Sequence, residues 1–402
     1  MYENPAQMEP LFPSDREGAL EDLALMVERE SAGLGRLLVP ELRPTVAELV
    51  RQMNSYYSNQ IEGHHTHPLD IERALRGDYS SDPGKRALQL ESRAHVEVQR
   101  LVEERVRAEP ELNICSADFL RWIHREFYIR MPDEFLVVEG ESGGKHAVEP
   151  GELRHRDVKV GRHVPPVHGT VQAFLARFAE FYRPERFRGL DQVIAAAASH
   201  HRLAWIHPFL DGNGRVTRLF THAYLMRTGL AAHGLWMVSR GFARNRARYM
   251  EALVAADQAR GSDLDGRGNL SDEGLRVFCR FFLETALDQI RFMGELLDLR
   301  GLEKRVVGYA ESRVAFGELP GEAPQLLRAV LLRGEVGRGE TPRITGRPER
   351  TARRILNQLA RERLVVSDTP KGPVRLGLPA KAAAYYFPRL YPEGVEQEMA
   401  SR

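Results

Sequence analysis

Cysteine is nearly absent: Cys115 and Cys279 are the only two in 402 residues. Two thiols supply neither a disulfide framework nor a thiolate zinc site, and both lie in apolar helical contexts that suit inert packing. No long uncharged apolar run occurs, and the N-terminus is acidic and polar, so neither a membrane span nor a leader segment is expected. The expectation is a soluble, cytoplasmic protein with no membrane partner. Charge of one sign is missing too. Lys and Arg total 57 against 56 Asp and Glu, a formal charge of +1. That balance argues against a chain-wide electrostatic role, while excluding neither nucleic acid nor an acidic partner. The length and a 43% hydrophobic content allow two or three domains with a real core.

What is present concentrates between His207 and Arg218, which read His-Pro-Phe-Leu-Asp-Gly-Asn-Gly-Arg-Val-Thr-Arg. Apolar residues at helical period flank it: Val193, Ile194, Ala197 and Leu203 to Ile206 before, then Val216, Leu219, Phe220 and Ala223 after. Gly212 to Gly214 should therefore open the second of two buried helices. Unpaired N–H groups and the helix dipole form an anion site there. Gly212 and Gly214 let backbone approach a phosphate, and Asn213 adds an amide donor. Arg215 and Arg218, three apart, can meet adjacent phosphate oxygens with planar forks. Asp211 suits a Mg²⁺ held by one carboxylate, phosphates and water. His207 supplies an imidazole that titrates near pH ~6.5 and can accept a proton at neutral pH. The set fits a nucleotide polyphosphate with a base beside it.

These residues resemble the signature of Fic-domain proteins: His-Pro-Phe, an acidic residue two places on, Gly-Asn-Gly-Arg, and a second Arg three residues later. The resemblance implies a mainly α, all-helical Fic fold with a small β-hairpin flap. It also implies transfer of AMP from ATP to a Ser, Thr or Tyr hydroxyl of a target protein or of the chain itself. His207 would deprotonate the hydroxyl, Asp211 would hold Mg²⁺, and Asn213 with the loop N–H groups (Gly212, Gly214) would hold the α-phosphate. Arg215 and Arg218 would hold the outer phosphates, and Phe209 would anchor the loop.

A second stretch bears on the first. Pro44 suits a first helical turn, Val46, Leu49, Val50 and Met53 form an apolar stripe, and Gly63 reads as a C′ residue. Glu62 then sits at a helix C-terminus, where the dipole disfavours a carboxylate by ~0.3–1 kcal/mol, so a cationic partner elsewhere is implied. Ser58, Glu62 and Gly63 resemble the Fic inhibitory motif. By that resemblance Glu62 pairs with Arg218 and removes a γ-phosphate donor. His64, His65 and His67 lack the Cys or carboxylate partners of a metal site and read as loop contacts or a flank of the cleft. His200 and His201 read as helix-face residues.

Residues 1 to about 15 look loosely tethered. Helical patterns start at Arg16, and turn signals gather at Gly140, Gly143, Gly144, Pro150 and Gly151. Val158 and Val160 alternate as a brief edge strand; Val158, Lys159, Val160 and Gly161 resemble part of the Fic flap, an edge on which a target peptide can pair. Tyr249 and Met250 fall where the family lines its nucleobase pocket, and Asp257 stands where Asn is common, leaving the base preference open. The loop from Gly261 to Asn269 fails as a calcium site, because Arg267 takes a ligand position and Gly274 replaces the final Glu; Ser271 reads as a helix N-cap. The domain map is a regulatory helical region at 1–110, a catalytic domain at 111–300, a linker at 301–322 interrupted at Gly308, and a domain at 323–402. In the last, two helices precede strands at Val365–Val366 and Val374–Leu378. It resembles a winged helix-turn-helix, with ten Lys/Arg against four acids between Arg338 and Arg375. Arg347, Arg350, Arg353 and Arg354 would mark its recognition helix, and DNA or a protein both remain open as its partner. Two rival functions stand beside AMP transfer: hydrolytic removal of AMP, and a DNA-binding regulator that senses nucleotide. Homodimerisation is implied by resemblance alone.

Overall fold

Helix-period apolar faces dominate the residues described by the computed structural model (2–15, 17–139, 144–392 and 395). Helix accounts for 62% and strand for 4%. Arg16, Gly140 and Gly143 lie outside the described residues, as do 393, 394 and 396–402. The front of the chain forms α1 (Ala19–Leu34), α2 (Arg43–Ile61), α3 (Pro68–Leu75) and α4 (Pro83–Ala108). Pro stands in the first turn of α2, α3 and α4, where no N–H partner is lost. Asp82 caps α4 by accepting from Lys85 N at 2.8 Å. Gly63, at φ 88, ends α2 with Glu62 as its C-cap, as the sequence implies.

Next come α5 (Ala117–Tyr128) and an antiparallel hairpin of β1 (Val137–Glu139) and β2 (Lys145–Ala147). Then follow α6 (Val171–Phe181), α7 (Leu190–Ile206) and α8 (Asn213–Arg227). Helix α7 packs on α1 and on α11 (Asp272–Leu297), and α8 packs on α4 and α5. Ala195 to Ala198 are wholly buried, which lets α7 pass through the centre of the core. Between α8 and α11 lie α9 (Ser239–Arg244) and α10 (Arg246–Asp257). Ser271 caps α11, accepting from Gly274 N at 2.8 Å.

After α12 (Leu299–Ala315), α13 (Ala323–Arg333) leads through β3 (Glu335–Val336) to α14 (Thr341–Thr345) and α15 (Glu349–Arg361). Strands β4 (Val365–Val366) and β5 (Val374–Leu376) complete an antiparallel sheet in the order β3-β5-β4. Helix α16 (Ala380–Tyr386) returns to the front of the molecule. There Ala380 N donates to Glu72 at 3.0 Å, and Tyr57 OH donates to Leu390 O at 2.7 Å.

Three expectations need correction. Gly308 lies inside α12, so the helix runs uninterrupted through it to Ala315: burial of Leu302, Val306 and Ala310 outweighs one glycine's propensity. Val158 and Val160 form no strand. Val160 and His163 instead pair across a tight turn, N to O at 3.0 Å both ways, with Gly161 at φ 61. Residues 2–15 are not loose either. Met8 and Leu11 are fully buried, and Pro10 O accepts from the buried Arg202 at 2.7 and 3.1 Å. Leu11→Ala is therefore expected to cost ~2–5 kcal/mol in urea unfolding; a change within ~0.5 kcal/mol, typical of a surface site, would restore the loose-tether reading.

Candidate active site

The signature lies on the loop between α7 and α8. His207 closes α7 in the left-handed region (φ 50, ψ 61), an uncommon conformation for a non-glycine residue. The turn sends Phe209 into the core, where it stacks on His124 at 4.1 Å, and His124 in turn stacks on Tyr128 at 4.3 Å. Gly212, at φ 75, precedes α8, and a Cβ there would lie 2.6 Å from Tyr128 Cε2. Glycine is required on both counts. No side chain caps α8, so its first-turn N–H groups remain available to an anion.

Arg154, its side chain wholly buried, clamps this loop. Its Nε donates to His207 O and its backbone N to Pro208 O, both at 2.9 Å. Burial pulls its pKa down to about 10, which leaves it charged. Desolvation likewise lowers the half-buried His207 to about 4, with the neighbouring His163 and Arg154 adding to the shift, so its imidazole is neutral at physiological pH. Tyr128 OH donates to Asp211 Oδ2 at 2.7 Å. That leaves a half-buried carboxylate of the oxygen-donor type that a hard divalent cation takes. Among the described residues no group of three His, Cys, Asp or Glu could hold a metal alone, so any Mg²⁺ here would draw its remaining ligands from phosphate and water.

Both arginines of the signature are occupied. Arg218 Nε donates to Ser58 Oγ at 2.8 Å, and its Nη2 reaches Ser58 O at 3.1 Å and Glu62 Oε1 at 2.5 Å. The guanidiniums of Arg218 and then Arg215 outweigh desolvation and hold the Glu62 carboxyl below its usual range. A Cβ on Gly214 would collide with Glu62 Oε1 and Arg218 Nη1, so that glycine is the notch that admits the carboxylate. Arg215 pairs with Glu91 of α4, and His64 Nδ1 stands 2.8 Å from the same carboxylate.

Residues 114–225 match the family model described as Fic/DOC. The chain contains a Fic domain. Among its relatives, a protein adenylyltransferase Fic of Drosophila mojavensis is 37% identical over 105 residues, 26% of this chain and 21% of that one. Its counterpart in Drosophila grimshawi is 44% identical over 82 residues, 20% and 17% of the two chains. The match thus spans about a fifth of the length of these curated relatives. A Fic family protein from Desulfovibrio desulfuricans superimposes with TM-score 0.53 at 17% identity, covering 90% of this chain and 97% of that one. A Fic domain containing signaling protein from Bacteroides thetaiotaomicron gives TM-score 0.50 at 20% identity, over 67% and 96%. At these identities the likeness is one of fold.

Within and around the Fic domain, several side chains stand differently from expectation. Asn213 spends both ends of its amide on Phe209, accepting from its N at 2.8 Å and donating to its O at 2.9 Å. It braces the loop. Tyr249 is buried, stacked on Phe242 at 4.3 Å, with its OH 2.8 Å from His200 Nε2; Met250 beside it is half-buried. Asp257 ends the same helix, α10. It pairs with His201 at 3.1 Å and faces His163 of the flap turn at 3.6 Å, so it ties flap to core. His200 and His201 lie on α7, as their helix-face reading implies, and that face is fully buried. Of the flap residues, Lys159, Val160 and Gly161 are exposed and Val158 half-buried. Sequence reasoning missed Tyr128, Arg154, His163 and Glu91. Only Glu91 gave a signal, as a charge within the buried face of α4.

Buried neutral histidines fix a pH dependence. Desolvation lowers His95 to about 3 and His124 and His207 to about 4, and it lowers His200 and His201. The unfolded chain binds these protons near pH ~6.5, so their stabilising contribution is present above that pH and fades as pH falls toward 4. The urea midpoint is expected to drop steeply between pH 6.5 and 4.5, beyond what carboxylate titration gives, with roughly one proton taken up per histidine on unfolding. A midpoint flat across this window would contradict the neutral, buried assignment.

Proposed function

We propose that the protein transfers AMP from ATP to a Ser, Thr or Tyr hydroxyl of a protein, itself included, and that Glu62 holds the reaction low. The single observation that carries the reading is Glu62 Oε1 at 2.5 Å from Arg218 Nη2, with Ser58 on the same guanidinium. A carboxylate there competes directly with a terminal phosphate for the same donors. His207, neutral because of its burial, accepts the proton of the incoming hydroxyl. The hydroxyl oxygen then bonds to the α-phosphorus, the bond from that phosphorus to the β-bridging oxygen breaks, and pyrophosphate leaves. The α8 N-terminus and Arg215 stabilise charge on the phosphates. Asp211 would hold Mg²⁺, which supplies neutralising charge to the phosphate oxygens. The flap turn, pinned by Arg154 and His163, offers the exposed residues 159–161, with the half-buried Val158 beside them, to an extended target segment.

Glu62→Gly is expected to raise labelling from α-labelled ATP about 10- to 100-fold, the worth of one charge-assisted hydrogen bond to Arg218. Adding His207→Ala should lower it again by about 10²–10⁴-fold. If Glu62→Gly instead loses activity on an AMP-modified protein and gains none with ATP, the reaction runs as AMP removal.

The C-terminal arrangement supports a second reading, a winged helix that binds duplex DNA. Arg350 and Arg353 are exposed on α15 and form no ion pair among the described residues, whereas Arg347 precedes that helix and pairs with Glu322 at 2.5 Å. Replacing Arg350 or Arg353 by Ala should each reduce the slope of log affinity against log salt by about 1. Affinity for duplex unaltered by both changes would leave the module to a protein partner.

A further inference from the structure

We infer that Glu91 is a positioning residue of the same site, fixing Arg215 for the outer phosphates of a nucleoside triphosphate while His64 balances its charge. This inference rests on the nucleotide-transfer reading. The two carboxylates facing the signature arginines differ in kind. Glu62 caps a helix end and its side chain is 32% exposed, so it can leave Arg218 by a local turn. Glu91 sits within the 26-residue α4, wholly buried, and cannot leave. Its Oε1 contacts Arg215 Nη2, and its two oxygens stand 2.9 and 2.8 Å from His64 Nδ1. The Arg215 guanidinium, 5% exposed, lies 5.6 Å from the centre of the Phe127 ring, and its Nε is buried with no hydrogen-bond partner among the described residues.

An arginine held at one nitrogen and packed at one face loses little rotamer freedom when an anion arrives. Glu91 therefore converts a flexible cation into a pre-oriented fork with a donor still unpaired. The cost is a buried negative charge close to the incoming phosphates, and His64 offsets it. The charged groups facing His64 are Glu91 from α4, Arg215 from α8 and Glu62 from the end of α2. Its hydrogen bond to Glu91 favours the imidazolium. Because His64 follows directly on Gly63, the inhibitory helix end and the Arg215 clamp are joined covalently.

The test is calorimetric titration of ATP and of AMP, with Mg²⁺, into the full chain carrying Glu62→Gly. Adding Glu91→Ala should weaken ATP about tenfold or more and AMP by less than about twofold, because only ATP reaches Arg215 with its outer phosphates. Glu91→Gln, which keeps a carbonyl oxygen for Arg215, should recover most of the ATP loss. ATP and AMP weakening by one common factor, or neither weakening, overturns the proposal in favour of a purely structural carboxylate. Should Glu91→Ala not fold, His64→Ala decides. ATP affinity in the parent should fall as pH rises from 6 to 8.5 and become markedly flatter in His64→Ala, and identical profiles for the two overturn the proposal. A Glu62→Gly parent that binds AMP no worse than ATP removes the transfer reading itself, a result distinct from either.

Discussion

A guanidinium enclosed by helices must be paired, and Arg218, with 2% of its side chain exposed, is where this fold meets that demand. Breaking a buried pair costs ~3–5 kcal/mol, so the donors of Arg218 are always taken by something. In the unliganded molecule α2 supplies the partners, a hydroxyl, a carbonyl and a carboxylate. A triphosphate has oxygens enough to replace the Glu62 carboxylate, though not while Glu62 is there. Inhibition on this view is substitution: the regulatory helix satisfies the same charge that the substrate would.

The body of α2 is poorly suited to moving. Arg51 pairs with the buried Glu103 at 3.1 Å, and Glu103 accepts contact from His222 at 3.0 Å. Asn54 donates to Gln99 at 2.7 Å and Ser55 to Ser92 O at 2.9 Å. These buried polar contacts fasten α2 to α4 and α8 along its length, and Tyr57 fastens it to the C-terminal segment. Opening such contacts is costly, because each would leave a buried polar group unpaired in a low-dielectric interior. What is left to move is the last turn, where Arg246 caps Ile61 O at 3.0 Å and Gly63 provides the hinge. The release of Glu62 that the proposed inhibition requires would accordingly be a local event at one helix end, not withdrawal of the helix.

Some of this was legible in the sequence. The signature loop, the α8 start at Asn213, the Gly63 stop and the Ser271 cap of α11 follow from apolar period, capping and glycine placement, which are local properties. The pairing of Glu62 with Arg218 was legible by resemblance, backed by the awkwardness of a carboxylate at a helix C-terminus. The misses share a cause. Asp257, His200 and His201 are polar residues whose partners come from distant segments, and sequence spacing carries no information about those. The N-terminal residues looked loose because three prolines disrupt any period, yet a short 3-10 turn at Pro5–Met8 and burial of Met8 and Leu11 order them. Gly308 shows the reverse, tertiary packing overriding a local breaker.

If Glu62 restrains the site through Arg218 alone, the two residues must be coupled in nucleotide binding. The direct measurement is ATP affinity across the four proteins of a double-mutant cycle: wild type, Glu62→Gly, Arg218→Ala and both together. The account predicts that removing Glu62 tightens ATP when Arg218 is present and changes nothing when Arg218 is absent. An equal gain in both backgrounds would contradict it, because Glu62 would then be acting on the nucleotide by bulk repulsion and not by occupying its arginine.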